Sequence, residues 1–202
     1  MNLLQANQLI VVQKRELAEL FGFETRNKYE IYNESKQLVG YCAEQQKGLL
    51  GFFLRQLLGH WRSFDLHFYD TNRKEVLYAK HPFRFIFQEL HVFNSDHKLI
   101  GFAKERFGIL TKKFDVFNDN SQRIFLMRSG FFRFWTFPLK DVNGTERALI
   151  QKKWSGMLKE IFFDADNFVV TFKDPTLTQN ERLLILALSV FTDLQYFERK
   201  AD

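Results

Sequence analysis

The stretch WSGMLKEIFFDADNFVVTFKDPTLTQNERLLILALSVFTDLQYFE, from Trp154 to Glu198, decides the fold of this chain. It contains a charged segment, an acidic turn at residues 164–167, an alternating strand at residues 168–172, and an apolar helix from Leu183 to Phe197. Because that helix has almost no polar face, it must be buried either in protein or in lipid. A membrane span and a core helix imply different functions.

Polar residues within and before this helix favour the core. Thr178 and Glu181 form a capping box, in which each side chain satisfies a free amide at the start of a helix. A bilayer requires about 20 consecutive apolar residues, and Ser189, Thr192 and Asp193 interrupt the run well short of that length. A carboxylate near the centre of a span costs at least ~2.5 kcal/mol. We therefore predict that the helix is buried in the protein.

Short alternating runs, separated by clusters of Asn, Asp and Ser, fill the chain upstream of the helix and predict about a dozen strands joined by hairpins. The alternation favours antiparallel pairing with one face in water. Asn143-Gly144-Thr145 matches a glycosylation acceptor, but it is more typical of a hairpin turn. We predict one mainly β domain over residues 1–202. Residues 1–27 form a short helical lead-in, residues 28–172 form an antiparallel barrel, and residues 178–199 form the helix that fills it.

Composition narrows the environment and the partners of the chain. A length of 202 residues predicts a single domain, and the formal charge of +5 with a pI near 9.3 suggests an anionic partner, either lipid or nucleic acid. Cys42 is the only cysteine, so no intrachain disulfide forms. The N-terminal residues lack the pattern of a signal peptide. We expect a cytoplasmic protein.

Known catalytic patterns are missing from the sequence. The five histidines show no metal-ligand spacing, and the chain has neither a G-x-S-x-G motif nor a phosphate-binding glycine loop. His67 and His91 each lie in an alternating run, where a hydrogen-bonded strand histidine is expected. Cys42 is predicted to be a small core residue. The chain is therefore predicted not to be an enzyme. Its basic residues are dispersed and no nucleic-acid-binding signature appears, so nucleic acid is the less favoured partner.

Four stretches resemble the phospholipid scramblase family, within the tubby C-terminal-like superfamily. They are GFETRNKYEI, FDLHFYDTNRKEVLYAKHPFRF, FQELHVF with KLIGFAKERF, and KKWSGMLKEIFFDADNF. The resemblance implies a twelve-stranded barrel around a central hydrophobic helix, and a protein that binds phospholipid and moves it between leaflets. A barrel filled by its own helix offers no obvious lipid path, so lipid binding is the safer expectation. The alternative is a tubby-like regulatory module that binds lipid or nucleic acid without scrambling.

The resemblance also implies a calcium site at the acidic turn, where Asp164 and Asp166 are the candidate ligands. The loop is a poor EF-hand, because Val169 stands at the sixth position instead of glycine and Pro175 at the twelfth instead of glutamate. A turn whose side chains bond nearby amides is the alternative. No cofactor is required by the sequence, and any calcium affinity is expected to be weak.

This chain lacks the cysteine-rich, acylated clusters of many family members. Aromatic and leucine-rich segments stand in their place, at residues 47–63, 81–90 and 128–139. We hypothesise that the three segments together form a lipid-docking face, which requires them to lie on one side of the fold. On pattern alone, an ordinary core strand is the favoured interpretation of residues 131–137 within the third segment.

The first segment has helical periodicity, with glycines and arginines on one stripe and apolar residues on the other. An interfacial membrane helix fits this pattern, and so does a helix packed on the barrel. Without acylation, docking at the cytoplasmic face of an anionic phospholipid membrane needs basic and inserted apolar side chains together. The candidate contacts are Lys47, Phe52, Phe53, Arg55, Trp61 and Arg62.

Overall fold

Twelve strands and one helix make up the fold of this computed structural model, which describes residues 1–14, 25–45, 63–108, 111–130, 132, 135–153 and 167–197. The elements in chain order are β1 (Gln8–Lys14), β2 (Thr25–Asn33), β3 (Leu38–Gln45), β4 (Phe64–Tyr69), β5 (Glu75–His81), β6 (Glu89–Asn94), β7 (Leu99–Arg106), β8 (Lys113–Asn118), β9 (Arg123–Arg128), β10 (Thr136–Lys140), β11 (Glu146–Lys153), β12 (Asn167–Phe172) and α1 (Gln179–Tyr196).

The strands form a closed barrel in which each strand is antiparallel to its neighbours in the chain. Strand β1 closes it by pairing with β2 on one side and β12 on the other, so that Leu9 lies opposite both Asn33 and Val170. Closure gives each described strand a neighbour on both sides and so removes the free outer edges of an open sheet, although β9 and β10 share only two residue pairs. The predicted antiparallel barrel with a C-terminal helix is confirmed.

The N-terminal part of that prediction is wrong for the residues of β1. Gln8–Lys14 form a strand instead of part of a helical lead-in, and the strands therefore begin at Gln8 and not at residue 28. The sequence QLIVVQK is rich in β-branched residues, which favour a pleated strand. Leu9 and Val11 contribute to the barrel core. Residues 15–24 lie outside the described part of the chain.

Five hairpin turns at one end of the barrel share one design. In each, an Asn or Asp side chain accepts hydrogen bonds from amides two or four residues ahead, and a residue with positive φ precedes the next strand. A type I turn followed by a left-handed residue is a common three-residue hairpin loop. Gly144 has φ +82°, which confirms the hairpin predicted there. The turns begin at Asn33, Asp70, Asn94, Asn118 and Asp141.

Helix α1 lies inside the barrel and supplies its core. The predicted capping box is present: the amide of Glu181 donates to Thr178 Oγ1 at 3.3 Å, and the amide of Thr178 donates to Glu181 Oε2 at 2.7 Å. Every residue from 182 to 195 is buried. At Gly101, a Cβ atom would come within 2.7 Å of Leu184, so glycine allows the helix to approach β7. Within the described residues, no helix is long and apolar enough to cross a bilayer.

Buried polar contacts fix both ends of the helix. Near its C-terminal end, Asp193 accepts hydrogen bonds from Lys152 Nζ at 3.1 Å and from the Tyr29 hydroxyl at 3.0 Å. Near its start, the buried guanidinium of Arg182 donates to the carbonyls of Leu3 at 3.1 Å and of Leu177 at 3.1 Å. These bonds set the depth of the helix, because a shift along its axis would leave the charges buried and unpaired.

The pair formed by Lys152 and Asp193 gives a stability prediction. Asp193→Ala leaves a buried ammonium without its carboxylate, and we expect a loss of ~3–5 kcal/mol in the free energy of unfolding, measured with urea. The double variant Lys152→Met with Asp193→Leu should recover most of that loss. Tyr29→Phe is the matched control and should cost only ~0.5–1.5 kcal/mol. Equal losses for Asp193→Ala and Tyr29→Phe would contradict this account.

Candidate functional site

The two ends of the barrel differ in composition. Successive strands run in opposite directions, so the connections alternate between the ends. We call the end that carries the five hairpin turns the turn end. The opposite end, called the loop end, carries the connections that follow β3, β5, β7, β9 and β11.

A group of apolar side chains is exposed at the loop end. We call it the apolar rim. Ile86 and Phe107 are 75% and 73% exposed, and Phe132 is 83% exposed. Among the described residues, only Leu4 and Val142 are comparably large, apolar and exposed elsewhere. A contiguous exposed apolar surface marks an interaction site more often than isolated apolar residues do. The apolar rim consists of Phe83, Phe85, Ile86, Phe87, Phe107 and Phe132.

The loop that carries the rim residues after β5 is fixed to β7 at its last residue, Gln88. The amide of Gln88 donates to Glu105 Oε2 at 3.0 Å, and the amide of Glu105 donates to the Gln88 carbonyl at 2.8 Å. Phe83 and Phe85 pack edge to face with ring centroids 4.9 Å apart. The loop is thus bonded to β7 at Gln88, and its aromatic side chains are 39–62% exposed.

Basic side chains accompany the rim. Glu89 lies 2.9 Å from the Arg84 guanidinium and 3.9 Å from Lys104 Nζ. Burial acts to raise the pKa of Glu89, but hydrogen bonds from Arg84 and His91 outweigh it and hold that pKa below its usual range. Lys112 Nζ lies 3.7 Å from Glu105 and 4.8 Å from the centre of the Tyr196 ring. The exposed charge around the rim is mainly positive.

Two of the three predicted docking segments lie at the loop end: residues 81–90 are described in full and residues 128–139 in part. The segment at residues 81–90 supplies four rim residues. The segment at residues 128–139 supplies Phe132, for which the core-strand interpretation is wrong. Strand β10 begins only at Thr136, where pairing with β11 starts, so Phe132 precedes the sheet and projects into water. The requirement that the segments share one side of the fold holds for these described parts.

The residues predicted to contact lipid or calcium lie outside the described residues. Their flanking strands are described: Gln45 ends β3 and Phe64 begins β4, both at the loop end, and Lys153 and Asn167 likewise flank the acidic turn. The site residues concerned are Lys47, Phe52, Phe53, Arg55, Trp61 and Arg62 for lipid, and Asp164 and Asp166 for calcium.

Phe107 is a rim residue that was not predicted from the sequence. It follows Glu105-Arg106 at the end of β7 and resembles the last residue of an alternating strand. The position of β7 in the order of the strands could have identified Phe107, because that order fixes the end of the barrel at which each connection lies. In a barrel of consecutive hairpins, every second connection reaches the same end, so an aromatic residue after β7 joins those after β5 and β9.

The histidines have the structural roles expected of them. His67 Nδ1 lies 2.6 Å from Glu75 Oε2, and His91 Nε2 lies 3.3 Å from Glu89 Oε2. His81 is bonded to the Glu89 carbonyl through Nδ1 at 2.6 Å and to Gln195 through Nε2 at 3.1 Å. Within the described ranges, no three His, Cys, Asp or Glu side chains gather in a group that could hold a metal ion.

Cys42 is buried in the barrel core, as predicted. Burial, with a smaller contribution from the charge of Glu44, raises the pKa of its thiol well above the ordinary value. We expect the native protein to react with a thiol reagent such as dithionitrobenzoate at least ~100-fold more slowly than the urea-unfolded chain, because only the exposed thiolate attacks. Equal rates in the two states would contradict the burial of Cys42.

Comparison with known proteins gives the class of this molecule. The family model described as Scramblase matches residues 1–199, and the chain belongs to that family. It is 30% identical to phospholipid scramblase 1 of Mus musculus, over 99% of this chain and 64% of that protein. It is 27% identical to phospholipid scramblase 2 of Bos taurus, over 97% and 70%. A phospholipid scramblase family protein of Schizosaccharomyces pombe is 25% identical, over 98% and 61%.

A solved structure supports the architecture. The X-ray structure of a protein from Arabidopsis thaliana is similar with a TM-score of 0.51, at 12% identity, over 93% of this chain and 91% of that one. This likeness concerns the fold alone. The chain spans about two thirds of the length of the curated relatives it matches, 64% in the case of the mouse protein.

Proposed function

We propose that this chain is a scramblase-like protein that binds phospholipid peripherally at the cytoplasmic face of anionic membranes, with the loop end of the barrel against the bilayer. Membership of the Scramblase family supports an interaction with phospholipid. The observation that carries the proposed orientation is the apolar rim, which gathers six exposed apolar side chains at the loop end, whereas the turn hairpins at the other end expose only Val142 among the described residues of comparable size.

Apolar insertion provides the first part of the binding energy. Full burial of a large apolar side chain contributes roughly 1.5–3 kcal/mol. Ile86, Phe107 and Phe132 are each more than two thirds exposed in the free protein, so most of that contribution is still available on binding. The two hydrogen bonds that fix Gln88 at the end of the loop after β5 reduce the entropy lost when the rim is ordered on a membrane.

Electrostatic attraction provides the second part. Each Lys or Arg close to an anionic surface contributes ~1 kcal/mol, and Arg84, Lys104 and Lys112 lie beside the rim with about half of each side chain exposed. The sequence-predicted contacts are proposed as members of the same surface, because β3 ends and β4 begins at the loop end. These are Lys47, Phe52, Phe53, Arg55, Trp61 and Arg62.

Translocation of lipid is a separate proposal. Helix α1 fills the interior of the barrel with buried apolar side chains. Any movement of lipid between leaflets would therefore proceed along the outside of the barrel or through the bilayer that it perturbs. Docking of the loop end is the step on which such an activity would depend.

Co-sedimentation with vesicles tests the proposed binding surface. The native chain should pellet with phosphatidylcholine vesicles that contain phosphatidylserine and remain in the supernatant with phosphatidylcholine alone. Phe85→Ser with Ile86→Ser should weaken binding about tenfold or more, because two exposed apolar side chains no longer insert. Both residues are largely exposed, so the fold should be retained.

Val142→Ser with Leu4→Ser is the matched control for this experiment. Val142 is 69% exposed in a turn-end hairpin, and Leu4 is 51% exposed in the N-terminal segment before β1. The control variant should bind as the native chain does. Recovery of the native chain in the supernatant with every vesicle, or equal weakening by both double variants, would overturn the proposed function.

A dithionite quenching assay on vesicles with fluorescent lipid tests translocation, with and without calcium. Because docking precedes any movement of lipid, acceleration over protein-free vesicles should disappear in Phe85→Ser with Ile86→Ser and persist in the control variant. The calcium arm tests the candidates Asp164 and Asp166. Acceleration that survives the loss of vesicle binding would contradict the dependence on docking.

A further inference from the structure

Three cations stand side by side where β7, β8 and β9 reach the loop end. Arg106 lies directly opposite Lys113, and Lys113 lies directly opposite Arg128. All three belong to the outward-facing set, since Ala103, Phe114 and Met127 on the same strands point into the core. Residues directly opposite on adjacent strands have Cβ atoms about 4.5–5.5 Å apart. We call these three residues the cationic row.

Among the described residues, few carboxylates neutralise this row. Asp115 lies 3.3 Å from Arg106, but the same carboxylate also lies 3.4 Å from Arg123. Neither Lys113 nor Arg128 forms an ion pair with any carboxylate that the structure describes. Like charges directly opposite each other destabilise a sheet. The row thus costs folding stability and presents an excess of positive charge, an arrangement suited to an anion from outside the protein.

The row adjoins the apolar rim. Phe107 follows Arg106 directly in the chain, and Phe132 lies four residues after Arg128. Both aromatic side chains are largely exposed at the loop end. An anion bound by the row would therefore lie beside side chains that insert into a bilayer, at the depth of lipid headgroups. The anion that fits this position belongs to a lipid.

We propose that the cationic row of Arg106, Lys113 and Arg128 binds a phosphomonoester on a lipid headgroup, an inference that rests on the proposed function. A phosphomonoester carries about −1.5 to −2 charges and three acceptor oxygens at neutral pH, whereas a phosphodiester carries a single charge. Guanidinium groups hold such phosphates through paired N–H donors, and a lysine adds a point charge. Two arginines flanking a lysine match the more highly charged headgroup.

Binding to charge-matched vesicles tests this proposal. One set contains phosphatidylcholine with about 10 mol% phosphatidic acid and the other about 20 mol% phosphatidylserine, fractions that equalise the surface charge. The native chain should bind the phosphatidic acid vesicles about fivefold tighter or more. Lys113→Gln with Arg128→Gln should bring the ratio of the two affinities close to one, because the groups that recognise the phosphomonoester are gone.

Lys74→Gln with Lys98→Gln removes the same net charge from exposed positions at the turn end and serves as the control. This control variant should keep the native ratio of the affinities for phosphatidic acid and phosphatidylserine vesicles. A second measurement separates binding from folding: Lys113→Gln with Arg128→Gln should unfold at the native temperature or above it, because the opposed charges are removed. Binding should fall while stability does not.

The outcomes distinguish this inference from the proposed function. Binding of the native chain to both vesicles with equal affinity would overturn the phosphomonoester site and leave the docking surface standing. An affinity ratio that Lys113→Gln with Arg128→Gln leaves at the native value would also overturn the site. Failure of the native chain to bind either vesicle would overturn both the docking surface and the site.

Discussion

The rest of this structure depends on the burial of helix α1 inside a closed barrel. Leu186, Leu188 and Phe191 are shielded from water, and no single sheet face could cover a helix that is apolar all round. Twelve strands enclose it, and their inward-facing residues complete one core. The capping box fixes where the helix begins, and the bonds between Asp193, Lys152 and Tyr29 fix how deep it lies. The helix that resembles a membrane anchor therefore belongs to the interior of the protein.

Because the helix fills the interior of the barrel, we looked for a binding surface at the ends of the barrel. An up-and-down order of strands sends alternate connections to opposite ends, so the chain has two sets of connections with separate composition. One set consists of short polar turns with a repeated Asx design, which are suited to water. The other set carries the apolar rim, and the cationic row lies on the strand ends beside it. Apolar and basic groups that lie far apart in the sequence therefore share one surface, because alternate connections reach the same end of the barrel.

The sequence predicted the core of this arrangement because local signals carried it. The capping box and the polar residues at Ser189, Thr192 and Asp193 were sufficient to place the helix in the interior, and turn residues marked the hairpins. Strand β1 was missed because LIVV is a continuous apolar run, which has no period that separates strand from helix. Phe132 was assigned to a core strand because its neighbours alternate, although pairing with β11 begins only at Thr136.

The proposed membrane-facing side was predicted from the sequence only as a hypothesis about three segments, because exposure depends on the end at which each connection emerges. Phe107 illustrates the difficulty, since nothing in Glu105-Arg106-Phe107 tells whether the aromatic ring enters the core or water. The cationic row could not be predicted from the sequence either. Its members are separated by up to 22 positions along the chain, and only the register of β7, β8 and β9 makes them neighbours.

The orientation of the barrel on a membrane is the central claim, and spin labels at the two ends test it most directly. Cys42 is buried, so a label can be attached to a single added cysteine in Ile86→Cys or Val142→Cys. On anionic vesicles, the label at position 86 should become accessible to lipid-soluble oxygen and protected from a water-soluble relaxation agent, while the label at position 142 stays in water. Insertion of the label at position 142, or an aqueous environment for both labels on bound protein, would contradict the account.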